Sequence, residues 1–179
     1  MSPAVRIRIR RMDLKDVEQV YAIDVLSFSL PWPERSYRFE LTENRSSRPW
    51  VAEWLEEDRP PRIVAMLVLW LLFDEAHIGT IAVHPDFRQY GIGRRLLAAA
   101  LLNAIEGGAT TSLLEVRRGN LSAQKLYEAF GFEVVNIRPR YYSDNGEDAL
   151  LMTLNALNPD ALRRLLADRP GQPPAEVVA

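Results

Sequence analysis

The sequence predicts an α/β sandwich: a mixed, mostly antiparallel sheet with helices on both faces. Three observations carry this. The apolar period switches repeatedly between two and about 3.6 residues, which gives the element order βααβββαβαββ. That order joins hairpins to strand-helix-strand units, a combination that needs a mixed sheet covered on both sides. The length of 179 residues, with 47% hydrophobic and 26% charged residues, suits one folded domain without disulfides or metal staples.

The elements follow in order. Val5, Ile7 and Ile9 alternate with Arg6, Arg8 and Arg10, as in a strand with one wet face on which the arginines are solvated. Asp13 caps a helix carrying Val17, Val20, Tyr21, Asp24 and Phe28 near helical spacing, and that helix stops before Pro31. After the loop Ser29-Leu30-Pro31-Trp32, Pro33 suits the first turn of a helix to about Asn44, with Tyr37 and Leu41 on one side. Residues 50–54 read as a strand, the charged, Pro-rich 56–62 as a turn, 63–73 as a buried strand, and Asp74-Glu75 as a hairpin into the strand 76–83. Ile92, Leu96, Ala100 and Ala104 recur every four residues in the clearest helix, 92–106, which Gly107-Gly108 ends. A strand at 111–116 follows. Asn120 caps a helix bearing Ala123, Leu126, Tyr127 and Phe130, Gly131 ends it, and strands 133–138 and 149–154 complete the domain, residues 1–157. Residues 158–179 hold one short helix, 159–167, and a mobile Pro-rich tail from Arg169.

Several function classes are excluded early. A net charge of −2 offers no attraction to nucleic acid or to anionic membranes. The absence of cysteine removes disulfides, thiolate metal sites and a cysteine nucleophile. The N-terminus alternates charged and apolar residues instead of forming a secretory apolar run, and the stretch 63–73 falls short of the ~20 residues that span a bilayer. A cytoplasmic protein with no membrane partner is expected. His77 and His84 lack neighbouring ligands, Asp74-Glu75 and Glu56-Glu57-Asp58 read as solvated turns, and no metal site is expected.

The most informative segment is Arg88-Gln89-Tyr90-Gly91-Ile92-Gly93-Arg94-Arg95, which joins a strand to the clearest helix. Glycines let successive backbone N–H groups turn inward, and a helix start adds partial positive charge, so the segment can cradle a diphosphate. Arg94 and Arg95 at a helix N-terminus oppose the macrodipole, a conflict that a bound anion would relieve. The glycines alone fit equally well a tight turn with the arginines in solvent. The spacing is neither the P-loop nor the dinucleotide fingerprint, so a different phosphate-bearing cofactor is required.

Ile81-Ala82-Val83-His84-Pro85 followed by Arg88-x-x-Gly91-x-Gly93 resembles the acetyl-CoA signature of GNAT acetyltransferases. The likeness continues through Leu114-Glu115-Val116-Arg117, Asn120, Leu126-Tyr127-Glu128, Phe130-Gly131-Phe132, Tyr141-Tyr142 and Glu147-Asp148-Ala149, and so covers about residues 5–155. Within the family it resembles the RimI-type ribosomal-protein N-terminal acetyltransferases. The resemblance implies a GNAT fold in which the strands holding Val83 and Glu115 splay apart and acetyl-CoA enters the gap as cosubstrate. The backbone of Ile81, Ala82 and Val83 would bond the pantetheine arm. Arg88, Gln89, Tyr90, Gly91, Ile92, Gly93 and Arg94 would cradle the diphosphate, and Asn120 would meet the arm from the other side. Gly79 fits a local bulge at the splay, and a plain packing reason serves as well.

An amine attacks a thioester only when neutral, yet an α-amine has a pKa near ~8, so the site needs a proton acceptor. Glu115 ends an apolar strand where partial burial would tune its carboxyl, and by family analogy it is the general base, directly or through a water. Tyr127, seven residues after Asn120 on the same helix face, would protonate the leaving thiolate. The plain alternatives are a surface carboxylate at a strand end and a half-buried core aromatic. For the acceptor, Trp32 and Tyr141 would line a groove for an extended peptide, with Tyr142 equally at home in ordinary packing. The implied substrate is a protein N-terminus, with a ribosomal protein beginning with Ala as the RimI-like case. The alternatives are a small amine or a lysine side chain, and a non-catalytic acetyl-CoA-binding module. Gly79-Thr80 stands where RimI-type enzymes often carry a larger residue followed by Asn, a departure that bears on the accepted N-terminal residue.

Overall fold

The computed structural model describes residues 4–178. The chain runs β1 (Arg6–Arg11), α1 (Val17–Ser27), α2 (Glu34–Thr42), β2 (Ser47–Leu55), β3 (Arg62–Leu72), β4 (Glu75–Val83), α3 (Ile92–Glu106), β5 (Thr111–Arg117), α4 (Leu121–Phe130), β6 (Glu133–Arg138), β7 (Ala149–Leu154), α5 (Pro159–Leu166) and β8 (Ala175–Val178). Single 3₁₀ turns, Leu14–Asp16 and Pro85–Phe87, precede α1 and follow β4. One eight-stranded sheet has the order β6-β7-β5-β4-β3-β2-β1-β8. The β4–β5 and β1–β8 pairs are parallel and the other five antiparallel, so the sheet is mixed and mostly antiparallel as expected.

β3 explains why an almost unbroken apolar run was needed at 63–73. Leu67 and Leu69 pack toward α3 and α4, whereas Met66 and Val68 pack toward α1 and α2, so both faces of this strand are covered. α3 buries Ile92, Leu96, Leu97, Ala100, Leu101 and Ala104, and α5 lies against it. At the other edge, every residue of β6 is exposed.

Two expectations are corrected here. The β1 arginines are not all solvated: Arg8 Nε lies 2.7 Å from Glu53 Oε2, and Arg10 bridges Glu53 Oε1 at 2.8 Å and Asp16 Oδ2 at 2.7 Å. The strand pairing that sets Arg8 opposite Glu53 creates this network, which no local pattern announces. The segment expected as a mobile tail also contains a strand. Residues 175–178 form β8 and pair in parallel with Ile7–Arg10, and the Ile7 N–H donates to Pro174 O at 2.8 Å; Ala179, the last residue of that expected tail, lies outside the described residues. Among the described residues, no helix is long and apolar enough to cross a membrane.

Candidate active site

The site begins where the central strands part. β4 and β5 pair only from Glu75↔Thr111 to Ile78↔Leu114. Beyond Ile78, β4 keeps β3 on one side and has no strand on the other, so alternate backbone polar groups of residues 79–83 face an opening. Gly79 is the extra residue of a bulge at this point, because Val68 pairs with Thr80 and Leu69 with Ile78. Packing fixes its identity. A Cβ there would stand 2.9 Å from the Trp70 ring, and Trp70 stacks on Trp32 with centroids 6.0 Å apart. The bulge and the packing reason weighed for Gly79 therefore operate together.

Two cavities open from the splay. The larger, about 550 Å³, is lined by Ile81, Ala82 and Val83 on one wall, Asn120 and Tyr127 on the other, and Arg88, Gln89, Gly91, Ile92, Gly93 and Arg94 at one end. Gln89 and Gly91 both take the left-handed conformation, with φ of 70° each, which folds the loop back onto the start of α3. Arg88 Nε donates to Val83 O at 3.1 Å and closes the turn between strand and loop. The Tyr90 ring is the exception: it packs against Trp54, with centroids 5.2 Å apart, and does not line the cavity. Asn120 Oδ1 accepts from the Ala123 N–H at 3.1 Å and so caps α4, the role read from the sequence.

Arg94 and Arg95 do not wait for an anion. Arg94 donates to the carbonyls of Leu165 and Ala167 and, at 2.9 Å, to Gln172 Oε1. Arg95, fully buried, donates to Asp168 Oδ1 at 2.8 Å and Pro173 O at 2.7 Å. The C-terminal segment offsets the expected conflict with the helix macrodipole, and Arg94 also lines the cavity.

The second cavity, about 320 Å³, is lined by Glu115, Arg117, Trp32, Leu30, Thr80 and Tyr142, and it shares Phe28, Ile81, Asn120, Ala123 and Tyr127 with the first. Glu115 does not sit in an apolar sleeve: Oε1 lies 3.1 Å from Arg138 Nη1, and Oε2 accepts from the Tyr141 hydroxyl at 3.1 Å. That hydrogen bond, with partial burial, raises the Tyr141 phenol. Tyr141 meets the site through this hydroxyl, while its neighbour Tyr142 supplies the wall. The Arg117 guanidinium lies 3.9 Å from the Tyr142 ring centroid and pairs with Asp144 at 2.9 Å. Ser29 Oγ donates to Asp144 Oδ2 at 2.5 Å, tying the α1–α2 loop to the β6–β7 loop above the cavity. Trp32 is held from below, its N–H donating to Asp24 Oδ2 at 2.8 Å; burial raises the carboxyl of Asp24, which is inaccessible.

Tyr127 stands at the junction of the two cavities. Burial pushes its phenol well above the ordinary range, so it stays protonated at neutral pH. Its hydroxyl makes no hydrogen bond to protein among the described residues and is available to a ligand. Arg138 and Arg117 are site residues that the sequence did not single out, since each acts through a partner more than about 20 residues away in the chain. No group of three or more His, Cys, Asp or Glu able to hold a metal occurs among the described residues.

A sheet that parts over a glycine-turned loop, with a carboxylate and a protonated phenol beside the gap, is suited to group transfer from a phosphate-bearing donor. The acetyltransferase (GNAT) family profile matches residues 17–132, and the chain belongs to that family: it is an acetyl-CoA-dependent N-acetyltransferase. The Escherichia coli (strain K12) ribosomal protein bS18-alanine N-acetyltransferase is 31% identical over 157 residues, 82% of this chain and 95% of that protein. A Bacillus subtilis (strain 168) relative given the same activity provisionally is 38% identical over 144 residues, 80% of this chain and 92% of its own. The crystal structure of the Escherichia coli ribosomal-protein-S18-alanine N-acetyltransferase superposes with a TM-score of 0.73 at 29% identity, covering 85% of this chain and 96% of that one.

Proposed function

We propose that this enzyme acetylates the N-terminal α-amine of a protein, with a ribosomal protein beginning with Ala as its substrate in the cytoplasm. One observation carries the reading. Tyr127 lies where a cavity bounded by the glycine loop meets a second cavity bounded by Glu115 and aromatic rings. A thioester carried along the first cavity and an amine entering by the second meet beside Tyr127.

In this reading acetyl-CoA lies against the open edge of Ile81, Ala82 and Val83, with its diphosphate on the loop 88–94 and its arm beside Asn120. The amine sheds a proton to Glu115, directly or through a water, and its lone pair forms the C–N bond. As the C–S bond breaks, the electron pair passes to sulfur, Tyr127 supplies the proton that makes the free thiol, and the second proton of the attacking nitrogen, made acidic by C–N bond formation, passes through solvent to the Tyr127 oxygen. Arg138 and Tyr141 hold the Glu115 carboxylate in place from the far side. Trp32 and Tyr142 wall the entrance for the first residues of the peptide. The names of the relatives support the choice of an N-terminal amine over a lysine or a small amine.

The test is mass spectrometry of peptides incubated with acetyl-CoA: free N-termini beginning with Ala, Ser, Met or Gly against N-blocked peptides bearing lysine. Acetylation is expected on free N-termini, strongest with Ala. Modification of the blocked lysine peptides would move the enzyme to the side-chain class.

A further inference from the structure

Arg95 follows the glycine loop, is fully buried, and touches neither cavity. One side of its guanidinium takes the loop: Nη2 donates to Tyr90 O at 2.9 Å and Nε to Gly91 O at 3.3 Å. The other takes the C-terminal segment, through Asp168 Oδ1 and Pro173 O. Asp168 Oδ1 also accepts from the Ala175 N–H at 3.1 Å, the first residue of β8, so the same carboxylate fixes the arginine and the strand. Gln172 completes the contact: a Cβ on Gly91 would stand 2.5 Å from its amide nitrogen.

A trans peptide points its C=O and its N–H in opposite directions. Drawing the Tyr90 and Gly91 carbonyls onto Arg95 therefore turns the N–H groups of Gly91 and Ile92 away from it. Gly91 and Ile92 line the larger cavity and no residue of 168–178 does, so those N–H groups face the cavity side. A loop with a non-glycine residue, Gln89, at φ 70° has little preference of its own for this shape and must be held from outside.

We propose that Arg95 and residues 168–178 form a strap that sets the diphosphate-binding conformation of the glycine loop, with Arg95 and Asp168 as positioning residues that touch no substrate. This rests on the reading that the loop holds the diphosphate of acetyl-CoA. The strap makes the C-terminal segment part of the donor site although it lies outside the stretch that matches the family profile.

The experiment measures initial rates with the donor varied at a saturating Ala-first peptide, for Arg95→Lys, Asp168→Asn and the loop variant Gly93→Asp, with acetyl-CoA and with S-acetylpantetheine, which lacks the diphosphate. Arg95→Lys keeps the charge and loses the fork that spans loop and strap. The KM for acetyl-CoA is expected to rise about tenfold in Arg95→Lys and about threefold in Asp168→Asn. In both, kcat, the peptide KM and the KM for S-acetylpantetheine stay within about twofold of wild type. A purely structural role would lower the folded fraction, hence apparent kcat with both donors, and leave KM alone; that result overturns the proposal. If Gly93→Asp raises the acetyl-CoA KM while the other two variants do not, the strap fails and the cradle stands. If Gly93→Asp changes nothing, the cradle itself is wrong and the strap falls with it.

Discussion

Strands β4 and β5 do opposite work in their two halves. From Glu75 to Ile78 and Thr111 to Leu114 they are paired, and the Ser112 hydroxyl adds a buried bond to Ala76 O at 2.7 Å. From Gly79 and Glu115 onward they separate, and the freed backbone and side chains face cavities. Buried backbone polar groups without partners are costly. A sheet leaves them so only where something else supplies partners, in the proposed reading the amides of the cosubstrate arm. On that reading stability is concentrated in the paired half and chemistry in the parted half.

The paired half should respond in stability alone. Met152 on β7 lies opposite Leu114 and is buried. Met152→Ala is expected to lower unfolding free energy by about 3 kcal/mol in urea titration, leaving the KM for acetyl-CoA unchanged. A shift in that KM would blur the division between the halves.

The far side of the sheet supplies a second control. Burial pushes the Asp16 and Glu53 carboxyls up, but the hydrogen bonds and charge of Arg10, joined by the Asp13 N–H at Asp16 and by Arg8 at Glu53, together outweigh it and hold both below the usual carboxylate range. Folded-state pKa values below the unfolded ones mean stability that is present above about pH 4 and is lost as pH falls through the lowered values. Arg10→Met should cost about 2 kcal/mol at neutral pH, less than for a fully buried pair because water reaches Arg10, and should flatten the acid limb of the stability curve. Catalysis in the folded protein should not change.

The smallest effect is expected where the halves join. Gly79→Ala places a methyl against Trp70 and should cost about 1 kcal/mol. Because Trp70 stacks on Trp32, the displacement reaches the acceptor cavity, and the peptide KM should rise with the acetyl-CoA KM unchanged. An altered acetyl-CoA KM instead would place Gly79 on the donor side.

What the sequence shows follows the range over which each signal acts. The helices at 92–106 and 121–130, ended by Gly107 and Gly131, and the strands 133–138 and 149–154 emerge from local period and punctuation. The turn from Arg88 to Gly93 is legible because its glycines lie within a few consecutive residues. The C-terminal partners of Arg94 and Arg95 are not, because they lie about 70 residues or more away, three of the five are backbone carbonyls, and their segment's proline content and scarcity of large apolar groups suggest mobility. β8 joins the sheet through backbone bonds to β1, which carry no side-chain pattern. Arg138 reaches Glu115 only because β6 and β5 flank β7, a fact of sheet order and not of spacing.

The most direct test compares Glu115→Gln and Tyr127→Phe with wild type, measuring both kcat on an Ala-first peptide and CoA affinity by calorimetry. If these two groups move the protons, each variant loses about a hundredfold or more in kcat while CoA affinity and melting temperature stay near wild type. Turnover unchanged in both would contradict the assignment of the chemistry to the parted half of the sheet.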